Sequence, residues 1–308
     1  MFSYPRAEKV FERHYKFSIG RTTIQRTTQR IGKRAEVFLE EKLNVEKTPH
    51  KAQSCPYLWV ELDGAMIRTG KLTSAKQAGY TALQGYRPGD KVRNEEWKEV
   101  RTGLVQLPGE SKPYYISGHR DYSKICHQMT GLSALKGRQK NTKIIAVSDG
   151  GNGLRAGLEN AFGDLVFVLD YAHVKKHFRE TAEALGIEKA MRKGWIKSFT
   201  KTLWETDEES VSKVMARLTS LLSDKFNERL SHLIGYLTRF EDAIHYGKFK
   251  QRGWPTGSGK IESAHRHVVQ ERLKIPGACW RIESINPMMA LRNTKQNEWW
   301  TDFCAVYG

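Results

Sequence analysis

The sequence predicts an α/β protein, with a mixed sheet, flanking helices, an all-helical insertion and a short helical segment at the N-terminus. Apolar runs at residues 57–62 and 143–148 each end in Asp-Gly, which is typical of a buried strand that ends at the edge of a sheet. Residues 172–248 have apolar positions at spacings of three and four, the period of amphipathic helices. Residues 3–43 also show a helical pattern and are rich in arginine and lysine.

The charge of the chain indicates a polyanionic partner. Among 308 residues, 51 Lys and Arg stand against 34 Asp and Glu, a formal surplus of 17 positive charges. A nucleic acid is favoured over a membrane, because no stretch approaches the roughly 20 apolar residues of a spanning helix. Widely spaced cysteines are typical of reduced thiols. We therefore expect a cytoplasmic protein that binds nucleic acid.

The N-terminal segment, residues 1–45, predicts a pair of basic helices at 5–15 and 22–43, with a break at 17–20. This arrangement is compatible with a helix-turn-helix whose second helix carries Arg26 and Arg30 to DNA. The alternative is an ordinary pair of basic surface helices. A linker is predicted at residues 45–56.

The middle of the chain predicts three strands, a helix, a strand, a helix and a strand. The predicted strands are 58–62, 97–106, 114–117, 144–148 and 165–169, and the predicted helices are 123–136 and 152–162. Residues 66–94 are predicted to be a long loop. The predicted domains are a catalytic core at 55–172, a helical insertion at 173–250, and a final core helix with a tail at 251–308. That final helix is expected to begin near Ser258.

This order of elements is that of a ribonuclease-H-like sheet, in which the first and fourth strands are neighbours. Asp63 and Asp149 would then lie side by side, although 149 − 63 = 86 positions separate them. Glu262, on the helix after the insertion, would add a third carboxylate. Such a set can hold two Mg²⁺ ions about 3.5–4 Å apart, with Mn²⁺ as a substitute. For each aspartate alone, a turn residue is the alternative interpretation.

The residues around these carboxylates resemble a known family. Asp63 in Glu-Leu-Asp-Gly, Asp149 in Val-Ser-Asp-Gly-Gly and Glu262 in Gly-Ser-Gly-Lys-Ile-Glu-Ser-Ala resemble the acidic triad of DDE transposases, in particular the ISKra group of bacterial insertion sequences. Residues 169–173 resemble the Asp/Cys-x-x-His signature of the wider Mutator-like superfamily, and residues 272–280 and 288–293 resemble the group's C-terminal block.

The resemblance implies a recombinase that cuts at the ends of its element and joins the freed 3′-hydroxyls to target DNA. It also implies pairing of two ends, so a homodimer is expected. Members of the group commonly carry a longer N-terminal region, which suggests that this chain is N-terminally truncated.

Several other residues are predicted to contact DNA. Asp170 and His173 could orient the scissile phosphate or a flanking nucleotide, and the alternative is a helix N-cap with a structural histidine. His265 lies one helical turn after Glu262 and could assist it. The remaining predicted contacts are Lys260, Arg266, Arg272 and Lys274.

Three alternative functions are compatible with parts of this sequence. A nuclease on the same fold would hydrolyse DNA without joining strands. A truncated or domesticated transposase would bind DNA without cutting it. Residues 151–156 fit a dinucleotide-binding fingerprint, but the carboxylate of Asp149 at the start of that turn would face the pyrophosphate and disfavours this function.

Overall fold

A computed structural model describes residues 3–44, 55–79, 81–85, 87, 89–224 and 226–307. The predicted linker at 45–56 lies outside the described residues as far as residue 54. In the described part, no helix is both long enough and apolar enough to cross a membrane.

A five-stranded mixed sheet forms the centre of the molecule, in the order β3-β2-β1-β4-β5. β1 pairs antiparallel with β2 and parallel with β4, while β2–β3 is antiparallel and β4–β5 parallel. The predicted adjacency of the first and fourth strands is therefore confirmed. The strands are β1 Tyr57–Ser74, β2 Lys91–Gln106, β3 Tyr114–Gly118, β4 Lys143–Ser148 and β5 Val166–Leu169.

Helices cover the sheet and fill the segments between and after its strands. The N-terminal pair is α1 Tyr4–Tyr15 and α2 Arg21–Lys42, and the helices between strands are α3 Tyr122–Leu135 and α4 Leu154–Phe162. The helical region that follows β5 contains α5 Tyr171–Ala184, α6 Lys189–Thr200, α7 Ser210–Asp224, α8 Glu228–Arg239 and α9 Tyr246–Gln251. The C-terminal part contains α10 Gly259–Ala264, a π-helical turn His265–Gln270, α11 Glu271–Leu273, α12 Ile285–Gln296 and α13 Trp300–Tyr307.

The long loop predicted at residues 66–94 is wrong at both ends, where 66–74 and 91–94 belong to strands. β1 continues to Ser74 and β2 starts at Lys91, and these two residues pair with each other at the far end of the hairpin. The polar composition of this segment suggested a loop because much of the hairpin is exposed. An antiparallel pair nevertheless satisfies its own backbone hydrogen bonds, so it does not need an apolar face along its whole length.

The second N-terminal helix belongs partly to the core. Ala35, Phe38 and Leu39 of α2 are buried in the same cluster as the sheet, whereas Arg26 and Arg30 in its first half are exposed. α2 lies directly on α12, since a Cβ at Gly32 would come within 2.6 Å of the Pro287 carbonyl oxygen.

The close approach at Gly32 gives a test of this packing. We expect Gly32→Ala to lower the free energy of unfolding by about 1–3 kcal/mol, because the added methyl must push α2 away from the α12 backbone. Gly235→Ala in α8 is the matched control, since nothing lies within 4 Å of its Cβ position. That control should instead stabilise the protein by about 0.5–1 kcal/mol. Urea denaturation of both variants measures the difference, and equal effects would contradict the packing described.

Candidate active site

Asp63 and Asp149 lie side by side at one edge of the sheet. The parallel register pairs Glu61 with Val147, which places Asp63 level with Asp149, just beyond the last paired residues. The hydroxyl of Ser148 donates to the carbonyl of Leu62 at 3.0 Å and fixes this register. Neighbouring strands lie about 4.8 Å apart, so the two carboxylates share one site.

Backbone amides orient one oxygen of each aspartate. Gly64 N–H donates to Oδ1 of Asp63 at 2.7 Å, and Gly151 N–H donates to Oδ1 of Asp149 at 2.9 Å. Gly150 has a φ of 76°, a left-handed conformation that favours glycine and explains the Asp-Gly pair here. The two aspartate side chains are 35 % and 33 % exposed, so each keeps an oxygen accessible from solvent.

His265 lies against Asp63 from the C-terminal helix. Its Nε2 is 3.2 Å from Oδ2 of Asp63, without hydrogen-bond geometry, and its side chain is only 5 % exposed. Neither ring nitrogen has a hydrogen-bond partner in the described part of the chain. Burial alone would raise the pKa of Asp63, but His265 and the Gly64 amide outweigh it and hold that pKa below its ordinary value. Asp63 is therefore ionised at neutral pH.

His173 occupies the corresponding position beside Asp149. It belongs to the first turn of α5. Its Nε2 lies 3.9 Å from Oδ2 of Asp149, and its Nδ1 lies 3.9 Å from Oδ1 of Asp170. The Asp170 carboxylate, followed by the charge of Asp149, raises the pKa of His173 above its ordinary value. Tyr236 of α8 donates its hydroxyl to the Asp149 carbonyl at 2.8 Å and holds that turn from the other side.

The prediction that Asp170 contacts DNA is wrong, and its alternative as a helix N-cap is what the structure shows. Asp170 is 1 % exposed. Its Oδ1 accepts from the amides of Ala172 and His173, which caps α5, and its Oδ2 accepts from the amide of Ser258 at 2.8 Å and from the Ser258 hydroxyl. Although burial opposes ionisation, the His173 imidazole, the two bonds from Ser258 and the bond from the His173 amide keep the pKa of Asp170 well below its ordinary value.

Glu262 is the third predicted carboxylate. It lies on the exposed flank of α10, and its carboxylate forms no hydrogen bond or ion pair with the described residues. The helix is held to the sheet by Glu61 instead, whose Oε2 accepts from the Ile261 amide at 2.8 Å. Burial raises the pKa of Glu61 to about 7. The sequence held a signal for this contact, because Glu61 is a charged residue inside an otherwise apolar strand, two positions before Asp63.

The described residues contain no group of three or more His, Cys, Asp or Glu side chains that could together hold a metal ion. The structure thus brings together two of the three predicted carboxylates. A two-carboxylate donor set still suits magnesium, which keeps several water ligands and commonly takes only one or two carboxylates from the protein. The partly exposed oxygens of Asp63 and Asp149 meet that requirement.

The predicted basic contacts fall into two groups. The first group is exposed and consists of Arg26, Arg30, Lys260, Arg266 and Lys274. The Nζ of Lys260 lies 4.1 Å from the Trp59 ring centroid and donates to Gln106 at 2.7 Å.

Arg272 is a correction to the predicted contacts. It is 5 % exposed, and its guanidinium lies 4.9 Å from the ring of Tyr4 and 4.8 Å from that of Trp280. A buried guanidinium between two aromatic rings packs the N-terminus onto the C-terminal block and does not reach DNA.

Comparison with known proteins gives limited matches. No family model matches the chain. A protein of Streptococcus gallolyticus described as "UPF0236 protein in vanSb 3′region" is 28 % identical over 163 residues, which are 51 % of this chain and 34 % of that protein. The chain thus matches about a third of the relative's length. The Drosophila P element transposase strand transfer complex aligns over 86 % of this chain and 70 % of its own, with 10 % identity and a TM-score of 0.29.

The contribution of Asp170 to the free energy of unfolding can be measured. Asp170→Ala removes the acceptor for the α5 cap and for Ser258 together, so we expect the free energy of unfolding to fall by about 2–5 kcal/mol. Asp121→Ala is the matched control, because Asp121 is an exposed N-cap that, among the described residues, accepts only from the Lys124 amide at 2.7 Å. Its loss should cost about 1 kcal/mol. Equal losses in urea denaturation would show that the bonds to Ser258 contribute nothing.

Proposed function

We propose that this protein cuts and joins DNA strands as a DDE-type transposase with a ribonuclease-H-like core. One observation carries the proposal: Asp63 on β1 and Asp149 after β4 lie level on adjacent parallel strands, half-exposed at one edge of the sheet. The sheet order β3-β2-β1-β4-β5 supports the ribonuclease-H-like assignment. The segments around both residues resemble those of DDE transposases, and this resemblance is the reason for proposing DNA strand cleavage and joining as the reaction.

The proposed cofactor is Mg²⁺, with Mn²⁺ as a substitute. Asp63 and Asp149 would hold it, and Glu262, one helical turn before His265, is the proposed third ligand. Magnesium would supply charge stabilisation at the attacking and leaving oxygens of the phosphodiester. The protein's own residues orient the carboxylates: the amides of Gly64 and Gly151 each fix one oxygen, and His265 lies against Asp63 and holds its pKa below the ordinary value.

DNA is the proposed partner, and the surplus of 17 positive charges supports it. Exposed Arg266 and Lys274 lie on the same helical segment as Glu262, and exposed Arg26 and Arg30 lie on α2. The active complex is proposed to be a homodimer, because two transposon ends must be brought together.

One observation favours a second candidate, a transposase-derived protein that binds DNA without cutting it. The Glu262 carboxylate is exposed, and the described residues contain no group of three or more His, Cys, Asp or Glu side chains that could hold a metal ion. If this arrangement persists with DNA and metal present, the carboxylates would not complete a two-metal site. A nuclease that only hydrolyses is the further alternative on the same residues.

Cleavage by wild type and by carboxylate variants tests the proposal. We expect Mg²⁺-dependent cutting at discrete sites in a plasmid that carries the DNA flanking the gene. Replacing a residue that only hydrogen-bonds to a metal ligand typically lowers activity by up to roughly 100-fold. Asp149→Asn or Asp63→Asn should reduce this cutting by more than that, because each changes a proposed ligand itself. DNA binding should change little, because it depends mainly on Lys and Arg contacts with phosphates.

Asp164→Asn is the matched control for these variants. Asp164 is an exposed aspartate just before β5, at the opposite end of the same strands, so its neutralisation should leave cleavage unchanged. Wild-type cleavage by the Asp149→Asn variant would refute the assignment of the site. A strand-transfer assay with pre-cut ends separates the transposase from a hydrolytic nuclease, since only the transposase produces joined strands.

A further inference from the structure

A basic groove lies between α5 and α6, outside the residues assigned above. The two helices are joined by residues 185–188 and pack against each other as antiparallel neighbours. The groove has a volume of about 600 Å³. Its basic lining residues are Lys175, Arg179, Lys189, Arg192, Lys193 and Lys197. We call this surface the α5–α6 groove.

The positive charge of the α5–α6 groove is largely uncompensated. Glu183 is the acidic residue among those that line it, and it pairs with Arg192 at 2.7 Å. The other five basic side chains form no ion pair with the described residues. Six positive charges and one negative charge leave a net of +5 on this surface.

Lysines repeat every fourth residue along the α6 wall, at Lys189, Lys193 and Lys197. They therefore share one face of the helix at steps of about 6 Å. Like charges at this spacing destabilise an isolated helix. A row of phosphates along the groove would remove this repulsion, because every lysine would gain an opposite charge.

One end of the α5–α6 groove opens beside the candidate active site. Tyr171, which lines that end, directly follows Asp170, and Lys175 Nζ lies 4.8 Å from its ring centroid. Because α6 runs antiparallel to α5, Lys197 returns to the same end. The opposite side of α5 carries His173, which faces Asp149. The groove therefore leads away from the two aspartates along the helical insertion.

We propose that the α5–α6 groove binds the sugar–phosphate backbone of the duplex DNA that leads away from the candidate active site. The proposal rests on the proposed function, since it takes the DNA end to lie at Asp63 and Asp149. Duplex DNA is favoured over a single strand because single-strand sites add aromatic platforms for unstacked bases. The aromatic ring among the lining residues, Tyr171, is half-buried and lies beneath Lys175.

The test compares two double variants that each lose two positive charges. Lys193→Gln/Lys197→Gln changes the groove. Lys140→Gln/Lys295→Gln is the control: Lys140 lies before β4, at the end of the strand remote from Asp149, and Lys295 lies at the end of α12, and both are exposed. Binding of a short duplex would be measured over a range of salt concentrations, together with the melting temperature of each free protein.

We expect the groove variant to bind duplex DNA roughly 10-fold more weakly. Its plot of log affinity against log salt should lose about 2 in slope, one for each phosphate contact. Its melting temperature should stay the same or rise, because like charges have been removed from α6. Weaker binding with unchanged stability cannot come from unfolding.

Three results would overturn the proposal: equal weakening by the control, absence of duplex binding by wild type, or an equal loss of binding to a single strand of the same length. Cleavage separates this proposal from the function on which it rests. If wild type binds DNA through the groove and still cuts nothing in Mg²⁺ or Mn²⁺, the transposase assignment fails and the groove assignment stands.

Discussion

A single buried carboxylate, Asp170, fixes the geometry on which the rest of the candidate site depends. One of its oxygens caps α5 and the other accepts from the turn that starts α10, so the strand end, the insertion and the C-terminal helix meet at one residue. α5 carries His173 to Asp149, and the helix after the turn carries His265 to Asp63. Both imidazoles are thereby positioned by helices that meet at the buried Asp170.

This arrangement also addresses the repulsion between two neighbouring carboxylates. Like charges at a shared site favour protonation of one partner, which would remove a ligand for a cation. Here each aspartate has its own imidazole and its own backbone amide. The pKa of Asp63 is lowered and that of His173 is raised, so the ionised form of Asp63 is stabilised before any cation or phosphate arrives.

The sequence predicted those parts of the fold that depend on local patterns. Apolar runs followed by Asp-Gly are local signals, and they marked Asp63 and Asp149. The predicted strand end is confirmed at Asp149, just after β4, but is wrong at Asp63, because β1 continues to Ser74 in the β1–β2 hairpin. Burial that depends on contacts between distant parts of the chain gave no such signal in the sequence. Asp170 is buried against Ser258, 88 residues away. Arg272 is buried between Tyr4 and Trp280. The strands predicted at 58–62 and 97–106 belong to the near part of the β1–β2 hairpin. Its far part was missed for a related reason, because it is largely polar and its backbone also pairs with the distant Trp280.

The π-helical turn His265–Gln270 has a consequence for how this region is compared with other chains. Each such turn accommodates an extra residue within an otherwise α-helical segment. A helical wheel drawn through the whole segment rotates every residue after the turn by about 100° from its true position. Arg272 lies beyond that point and Glu262 before it. An ungapped alignment with a helix that lacks the extra residue would thus shift every later residue by one position, and the matched side chains would face different surroundings.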